Sequence, residues 1–379
     1  MDFRFTPEEE AFRSEVRAFI RAELPRVREG ESFTRKLAAK GWLTMSWPTE
    51  YGGQGTQHMR QLVYNEEMAY HRAPGQTMGS DRVGPTIILF GTSEQKAEFL
   101  PKIVRDEVTW CQGFSEPGSG SDLASLQTRA VRDGDSWVIN GQKIWTSNAQ
   151  HADYIILLAR TDPDAPKHRG ITYFLVDMKS PGITIRPLVQ MTGQAGFNEV
   201  FFDDVRVPAS NVVGEVNRGW YVSTATLDFE RSGIGRVIGG LRTYEEVVDY
   251  ARNTPARDTR HAALYDVPSI RHALADCGLS FAVGRLLSYR VAWMQSQGLV
   301  PNYEASMAKT LGTELHQRMA RVAYTTLGLR GQLLDGQWAP LHGQVPEAVL
   351  STVALTIAAG TSEINRNIIA TRGLGLPRG

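Results

Sequence analysis

The chain has 379 residues, which is too long for one ordinary hydrophobic core and predicts two or three domains. Its 41 Lys and Arg balance its 41 Asp and Glu, so no net charge would attract nucleic acid or an anionic membrane. Cys111 and Cys277 are the only cysteines, and neither has a second Cys or His at ligand spacing, so neither a disulfide framework nor a zinc site is supported. No apolar run approaches the ~20 residues that span a bilayer, and the amino terminus lacks an apolar signal core. We therefore expect a soluble, unprocessed, cytoplasmic protein whose partners are small molecules or proteins.

The first hundred residues predict α-helices. Thr6 and Pro7, followed by three glutamates, form a strong helix start, and apolar residues then recur at helical spacing. A Gly-rich stretch at 47–55 predicts a loop, after which the helical period resumes through Ile103. This pattern predicts an N-terminal α-helical domain over residues 1–108.

A middle part with strand character follows, and then a second helical part. Short β-like runs separated by turn signals predict an all-β domain over 109–215. These runs are 126–131, 137–139, 154–159, 171–176, 183–187 and 199–207. From 216 the helical period returns and holds to near Arg372, with breaks around 253–258 and 331–343. The third predicted domain is helical over 216–379.

Two short segments carry the strongest chemical signal. In segment 114–122 a proline fixes φ, and two glycines let the backbone approach a bound group between hydroxyls that can reach phosphate oxygens. In segment 140–148 the indole of Trp145 stands beside two hydroxyls, which suits covering an aromatic ring and donating to its nitrogens. The first segment alone could be a tight hairpin connection, and Trp145 alone could be ordinary strand packing. Together they predict a flavin cradle at one end of a small barrel.

Five motifs in order make the chain resemble an acyl-CoA dehydrogenase from end to end. They are the two cradle segments, 202–208 with Asn211 and Gly214, the pair Glu230-Arg231, and 360–364. The resemblance implies an α+β multidomain fold, with an N-terminal helical domain, a middle β-barrel and a C-terminal four-helix bundle. It also implies FAD as the cofactor and, in lipid metabolism such as β-oxidation, α,β-dehydrogenation of an acyl-CoA thioester to the trans-2-enoyl-CoA.

The resemblance also implies which residues contact FAD. Ser115 would donate to the pyrimidine side of the flavin, and the Ser147 hydroxyl would sit at N5, where a donor stabilises the ring as hydride arrives. The implied set of contacts is Gln112, Phe114, Ser115, Gly120, Ser121, Trp145, Thr146, Ser147, Arg257, Thr325, Gly328, Thr361 and Glu363.

The base that removes the Cα proton is implied to be Glu230. Many family members carry a Glu at the position of Ala359, but a methyl group cannot abstract a proton. Enzymes that resemble isovaleryl-CoA and long-chain acyl-CoA dehydrogenases carry the Glu on the first bundle helix, directly before an Arg, as in Glu230-Arg231. On its own Glu230 would be interpreted as a solvated helical carboxylate. Glu363 is the other nearby carboxylate, although it also fits a helix start.

The implied substrate contacts divide between the thioester and the CoA arm. The backbone N–H of Ala359, at the turn with Gly360, would donate to the thioester oxygen. Ser121, Asp228 and Arg231 would meet the CoA arm, and the alternative for these three is simple turn and helix surface.

The positions that complete the FAD site across subunits depart from the family pattern. Arg257 is retained, but Arg260 stands where the family has an aromatic residue, Thr325 replaces a Gln, and 327–331 keeps only part of a glycine turn. With Ala359, these changes resemble actinobacterial members that act on sterol side-chain CoA thioesters as mixed tetramers of two related subunits.

Three hypotheses stay open on this basis. The first is an acyl-CoA dehydrogenase, homotetrameric or mixed, that passes electrons to an electron-transferring flavoprotein. The second is a partner-binding subunit that supplies half of a flavin site. The third is a relative that performs flavin-dependent hydroxylation or dehydrogenates an acyl group bound to a carrier protein.

Overall fold

The polypeptide forms two units, each built from stretches that are separated in the sequence. The structure, a computed structural model, describes residues 4–29, 31–231 and 234–377, and of residues 28, 29 and 227–231 it describes the backbone alone. The helical unit comprises Met1–Glu31, Gln57–Pro74 and Arg231–Gly379, whereas the sheet unit comprises Ser32–Thr56 and Gly75–Glu230. Because neither unit is continuous in the chain, the domain boundaries at 108/109 and 215/216 stay predictions.

Along the chain, helices come first, strands follow and helices return, which confirms the predicted order. The helices of the described residues are α1 (Pro7–Glu23), α2 (Phe33–Ala39), α3 (His58–Tyr70), α4 (Gly84–Phe90), α5 (Ser93–Val104), α6 (Gly219–Arg231), α7 (Gly235–Ile238), α8 (Leu241–Asn253), α9 (Pro268–Ser296), α10 (Tyr303–Leu327), α11 (Gln344–Ser351) and α12 (Ser362–Ile368). The strands are β1 (Trp110–Gly113), β2 (Arg129–Asp133), β3 (Ser136–Ser147), β4 (Tyr154–Arg160), β5 (Ile171–Asp177), β6 (Ile183–Leu188), β7 (Phe197–Pro208) and β8 (Val212–Val213).

The first helix begins as the sequence predicts. The Thr6 hydroxyl accepts from the Glu9 backbone N–H (3.2 Å), and the Glu9 carboxylate accepts from the Thr6 N–H (2.8 Å). This reciprocal capping satisfies two donors that the helix itself leaves without partners. The predicted breaks are also confirmed, since α8 ends at Asn253 and α10 ends at Leu327 before an irregular stretch.

Apolar packing and a buried charge network hold the helical unit together. Its core includes Phe281 of α9 and Met319 of α10, which are nearly inaccessible to solvent. Arg13 of α1 donates to both Glu66 and Glu67 of α3, each at 2.9 Å and each buried. Buried charges are tolerated when they are paired in this way, so the network joins the two helices without leaving an uncompensated charge.

One eight-stranded sheet organises the other unit. The strand order is β6-β7-β3-β2-β4-β5-β8, and β1 pairs in parallel with β4. β4 is buried on both faces. Ile155 and Leu157 belong to one apolar cluster, whereas Ile156 and Leu158 belong to a second cluster that includes Phe99 of α5. Such burial explains the uninterrupted apolar sequence of this strand.

Two predicted strands need corrected limits, and two further strands were not predicted. The strand predicted at 126–131 begins only at Arg129, because the backbone N–H groups of Gln127 and Thr128 donate to the Glu116 carboxylate rather than to a neighbouring strand. The strand predicted at 137–139 is β3, which continues to Ser147 through two register shifts. β1 and β8, with four and two residues, are too short to show a periodic pattern and were not predicted.

Candidate functional site

The two segments of the predicted cradle, 114–122 and 140–148, lie side by side in the sheet unit. The Ile144 backbone N–H donates to the Ser115 carbonyl oxygen at 2.9 Å. Glu116 and Ser119 close the first segment into a turn, with reciprocal backbone hydrogen bonds of 2.8 and 3.0 Å. The structure therefore brings together the two segments that the sequence pairs.

A β-bulge sets which cradle side chains face outward. Between Lys143 and Thr146, β3 holds one residue more than β7, and the extra residue Trp145 has φ of 60°. Such bulges re-aim side chains and interrupt the alternation of a strand. The Trp145 side chain is consequently 59% exposed, Thr146 is fully buried and Ser147 is exposed. An aromatic face and a hydroxyl group are thus presented together at the surface of the sheet unit.

Four buried polar atoms at this bulge and on β1 find no hydrogen-bond partner in the described part of the chain. They are Thr146 Oγ1 and Asn198 Oδ1 at the bulge, and Trp110 Nε1 and Gln112 Oε1 on β1. Buried polar atoms in native proteins nearly always have partners, so the predicted contacts Thr146 and Gln112 fit a site that a polar ligand completes. The Thr146 backbone is itself fixed, because Asn198 Nδ2 donates to its carbonyl oxygen at 3.0 Å.

Two glycines of the first segment leave space for a ligand, and neither the local backbone conformation nor the packing of the protein requires a glycine there. A Cβ added at Gly118 or Gly120 would meet no described atom within 4 Å, and neither residue has a positive φ. Ser121 is exposed beside them. The Phe114 ring, in contrast, is only 3% exposed and packs edge-on against Tyr173, so only the backbone of Phe114 can face a cofactor.

Sequence reasoning missed a buried ion pair inside the cradle. Lys143 Nζ lies 2.8 Å from Glu116 Oε1, with the lysine side chain 0% and the glutamate side chain 8% exposed. Burial lowers the pKa of Lys143 to about 8, although the negative charge of Glu116 acts to raise that pKa. Burial acts to raise the pKa of Glu116, but the charge of Lys143 and its hydrogen bonds outweigh this effect and hold that pKa below its ordinary value.

In the helical unit, the candidate oxyanion residue Ala359 stands in a clamped turn. Ala359 and Gly360 both have positive φ, 55° and 82°. The Gly360 carbonyl oxygen accepts from Lys309 Nζ at 2.6 Å and from Asn365 Nδ2 at 2.8 Å. Lys309 is buried, and neither clamping residue was predicted. Thr361 follows the turn and caps α12.

The Thr361 cap and Glu363 make the contacts of an ordinary helix start. The Thr361 hydroxyl accepts from the Ile364 backbone N–H at 3.2 Å. Hydrogen bonds from its own backbone N–H and from the Thr361 hydroxyl hold the pKa of the exposed Glu363 below its ordinary value. The contacts that Glu363 makes within the protein are therefore explained by a helix start. Its contact with a cofactor stays a prediction.

Arg257, Thr325 and Gly328 meet at the carboxyl end of α10. Arg257 Nη2 donates to the Thr326 carbonyl oxygen at 2.8 Å and packs against Gly328, where a Cβ would collide with the guanidinium. Thr325 is exposed, and its hydroxyl donates to the Arg321 carbonyl oxygen at 3.0 Å. Arg257 thus satisfies a carbonyl oxygen at the carboxyl end of α10 in its own chain, where a positive charge is favourable.

Three predicted site residues have side chains outside the described residues. They are Asp228, Glu230 and Arg231, which end α6. Elsewhere in the described ranges, no group of three His, Cys, Asp or Glu is arranged to hold a metal ion. Over the same ranges, no helix has the length and apolar character to cross a membrane.

Helical, sheet and helical parts follow one another in the order that the resemblance to flavin-dependent oxidoreductases implies, with an exposed indole and hydroxyl on the sheet. Family models for the N-terminal, middle and C-terminal domains of acyl-CoA dehydrogenases match residues 6–107, 111–205 and 217–374. The chain belongs to the acyl-CoA dehydrogenase family.

Individual relatives extend over most of the chain. The acyl-CoA dehydrogenase IpdE1 of Mycobacterium tuberculosis (strain ATCC 25618 / H37Rv) is 41% identical over 358 residues, which cover 92% of this chain and 89% of the relative. The structure of the Tcur3481-Tcur3483 steroid ACAD matches with a TM-score of 0.90 and 36% identity, over 100% of both chains. The ChsE4-ChsE5 complex from Mycobacterium tuberculosis matches with a TM-score of 0.89 and 38% identity, also over 100% of both chains.

Proposed function

We propose that this protein catalyses FAD-dependent α,β-dehydrogenation of an acyl-CoA thioester to the trans-2-enoyl-CoA. The observation that carries the proposal is the cradle, in which a bulge exposes the Trp145 indole and Ser147 beside the buried, unpartnered hydroxyl of Thr146. Membership of the acyl-CoA dehydrogenase family supports the reaction type.

The cradle residues fit the isoalloxazine and phosphate parts of FAD. Trp145 would cover the ring, and Thr146, Ser147 and Gln112 would supply polar contacts, with Ser115 on the pyrimidine side. Open space at Gly118 and Gly120 suits phosphate oxygens, and Ser121 would reach both these and the CoA arm. When bound, FAD supplies the acceptor for a hydride. Arg257, Thr325, Gly328, Thr361 and Glu363 are proposed for the adenosine end.

Glu230 is the proposed base and Ala359 the proposed oxyanion donor. The Glu230 carboxylate would take the proton from the substrate Cα. The Ala359 backbone N–H, in the turn that Lys309 clamps, would donate to the thioester oxygen and so increase the acidity of that proton. Asp228 and Arg231 are proposed to contact the CoA arm.

The acyl group is proposed to be a bulky lipid of the steroid side-chain type. One structural relative is named a steroid ACAD. The departures at Arg260, Thr325 and Ala359 resemble those of the sterol-type members. We propose a tetramer, either of one chain or of two related chains, and an electron-transferring flavoprotein as the electron acceptor in the cytoplasm.

A second candidate function is a subunit that supplies half of a flavin site. This candidate is favoured by Arg260 and Thr325, which differ from the family pattern at positions that complete the FAD site across subunits. One similar structure is the ChsE4-ChsE5 complex. A chain that purifies colourless and becomes yellow only with a related subunit would support this candidate over an enzyme complete in one chain type.

The direct test is an anaerobic titration of the yellow protein with a panel of acyl-CoA thioesters. The panel holds short unbranched, long unbranched and steroid side-chain thioesters, and the flavin absorbance near its oxidised maximum is followed. We expect bleaching by the steroid side-chain thioesters at the lowest concentrations. Dithionite is the control that shows the flavin to be reducible. Bleaching by dithionite and by none of the thioesters would contradict the proposed reaction.

Replacement of Glu230 tests the assignment of the base. We expect Glu230→Gln to retain the yellow cofactor but to lower the rate of flavin bleaching by about 10²- to 10⁴-fold, the usual contribution of a general base. Glu363→Gln is the comparison variant, because Glu363 is the other candidate carboxylate; measured at saturating FAD, which offsets any loss of its proposed adenosine contact, it should bleach at nearly the parent rate. Stopped-flow absorbance measures both rates. If Glu363→Gln loses bleaching while Glu230→Gln keeps it, the base is Glu363.

A further inference from the structure

The Glu116–Lys143 ion pair joins three stretches of the sheet unit. Lys143 on β3 donates to the Glu116 carboxylate (2.8 Å) and to the Phe114 carbonyl oxygen (3.1 Å). The same carboxylate accepts from the backbone N–H groups of Gln127 (2.6 Å) and Thr128 (2.8 Å), directly before β2. Both carboxylate oxygens are therefore in use, and the pair ties the first cradle segment to two strands.

The pair also anchors β3 immediately before the bulge. Lys143 holds the strand from its side chain, and the Ile144 N–H holds the Ser115 carbonyl oxygen from the backbone. The next residue, Trp145, leaves regular strand conformation. The placement of Trp145 and Ser147 relative to Ser115 therefore depends on this anchor.

We propose that Glu116 and Lys143 are positioning residues that hold the two cradle segments at the separation FAD requires. This inference rests on the proposed function, because it takes FAD as the ligand of the cradle. The competing explanation is that the two charges only compensate each other inside the sheet unit. The two explanations differ in what happens when both charges are removed together.

Three variants separate positioning from charge compensation. Lys143→Met and Glu116→Gln each leave one buried charge without its partner, so both should lower the melting temperature. The double variant removes both charges and should recover part of that loss, because neutral replacement of a buried pair is often tolerated. Recovery is incomplete because a glutamine amide at position 116 offers one acceptor oxygen to two backbone N–H groups. Positioning predicts that the double variant still binds FAD more weakly, with a Kd raised at least about tenfold, since loosened supporting groups misplace the contacts they hold.

The readouts are the Kd of FAD, from quenching of flavin fluorescence, and the visible circular dichroism of the bound flavin. The matched control is Glu98→Gln/Lys102→Met, which removes a partly exposed ion pair of 3.5 Å on α5 in the same unit. We expect it to leave both readouts unchanged. A double variant at Glu116 and Lys143 with the parent Kd and the parent spectrum overturns the proposal.

A pH titration of the parent protein decides the question even if the double variant does not fold. Burial lowers the pKa of Lys143 to about 8, and the charged groups that act on it are Glu116 and Arg160. Raising the pH until Lys143 loses its proton removes the ammonium charge, so positioning predicts that the flavin dichroism changes and the FAD affinity weakens together with that loss. The NMR signal of the Lys143 Nζ, in protein labelled with ¹⁵N-lysine, shows at which pH the proton leaves. Constant dichroism and constant affinity across that pH overturn the proposal. A parent protein that binds no FAD, alone or with a related subunit, contradicts the proposed function itself and this inference with it.

Discussion

Ala359 is a residue in a conformation that its side chain disfavours. Its φ of 55° lies in the left-handed region, where a Cβ crowds the following carbonyl group and costs about 1–2 kcal/mol. The turn persists because Lys309 and Asn365 both donate to the Gly360 carbonyl oxygen. Strain of this kind persists where surrounding contacts over-determine the backbone, which is frequent at functional sites. The clamped turn therefore supports the proposed role of the Ala359 N–H.

Glycine substitutions at two adjacent alanines test this strain. Ala359→Gly removes the crowded methyl group, whereas Ala358→Gly adds backbone freedom at a residue that does not have positive φ. We expect Ala359→Gly to be more stable than Ala358→Gly by about 1–2 kcal/mol. Urea unfolding followed by circular dichroism gives both free energies of unfolding. Equal values would show that position 359 is not strained.

For single residues, the sequence indicates the chemical groups of the site better than it indicates which residues contact one another. Trp145 and Ser147 could be proposed as site residues from their motif. The contact of Lys143 with Glu116 could not be proposed, because the two residues are 27 positions apart. A usable clue existed, since Trp137, Ile139 and Lys143 all fall on buried positions of one strand. A lysine at such a position requires an acidic partner.

Helices and strands were predicted well where a long segment keeps one apolar pattern. They were predicted poorly where a side chain takes the hydrogen bonds that a neighbouring strand would otherwise make. The capped start of α1 and the six-residue apolar run of β4, 154–159, are visible in the sequence. The delayed start of β2 is not, because the Glu116 side chain takes two backbone donors that a propensity argument assigns to the sheet. The bulge in β3 is not visible in the sequence either, because pairing with β7, a distant strand, decides where the extra residue lies.

Helix α5 is joined to β8 by one buried glutamine. Gln95 Nε2 donates to the carbonyl oxygens of Ser210 (2.6 Å) and Val212 (2.8 Å), while its Oε1 accepts from the Thr92 N–H at 3.1 Å. Gln95 is buried, so these carbonyl oxygens depend on it. The residue thus caps its own helix and fastens it to the sheet of the same unit.

Gln95→Glu keeps the acceptor for Thr92 but removes the donor to both carbonyl oxygens. We expect a loss of about 1–3 kcal/mol for each acceptor left unsatisfied. Thr92→Ala is the matched control, because it removes only the cap of α5 and should cost about 1 kcal/mol. Thermal and urea unfolding compare the two. A Gln95→Glu variant that is no less stable than Thr92→Ala would contradict the role of the side-chain donor.

For the molecule as a whole, we expect buried phenol and thiol groups to reduce stability at alkaline pH. Burial raises the pKa of Cys111 to about 12 and that of Tyr289 to about 12. Burial also raises the pKa of Tyr173, against the smaller effect of nearby threonine hydroxyls. In the unfolded chain these groups lose their protons at lower pH, near 10 for tyrosine. Unfolding above that pH releases protons, so the free energy of unfolding falls as the pH rises.

Tyr173→Phe tests this limit by removing one of the titrating groups from the core. Between pH 8 and pH 11 the parent should lose more stability than the variant, by about 1 kcal/mol for one group titrated one pH unit past its unfolded pKa. Lys143 acts in the opposite direction, because its folded pKa of about 8 lies below the unfolded value, but it contributes equally to both proteins and cancels in the comparison. Tyr324→Phe, at a partly exposed site, is the control and should follow the parent. Urea unfolding at both pH values gives the loss of stability for each of the three proteins. A Tyr173→Phe variant that loses as much stability as the parent would show that this phenol titrates alike in the folded and unfolded chains.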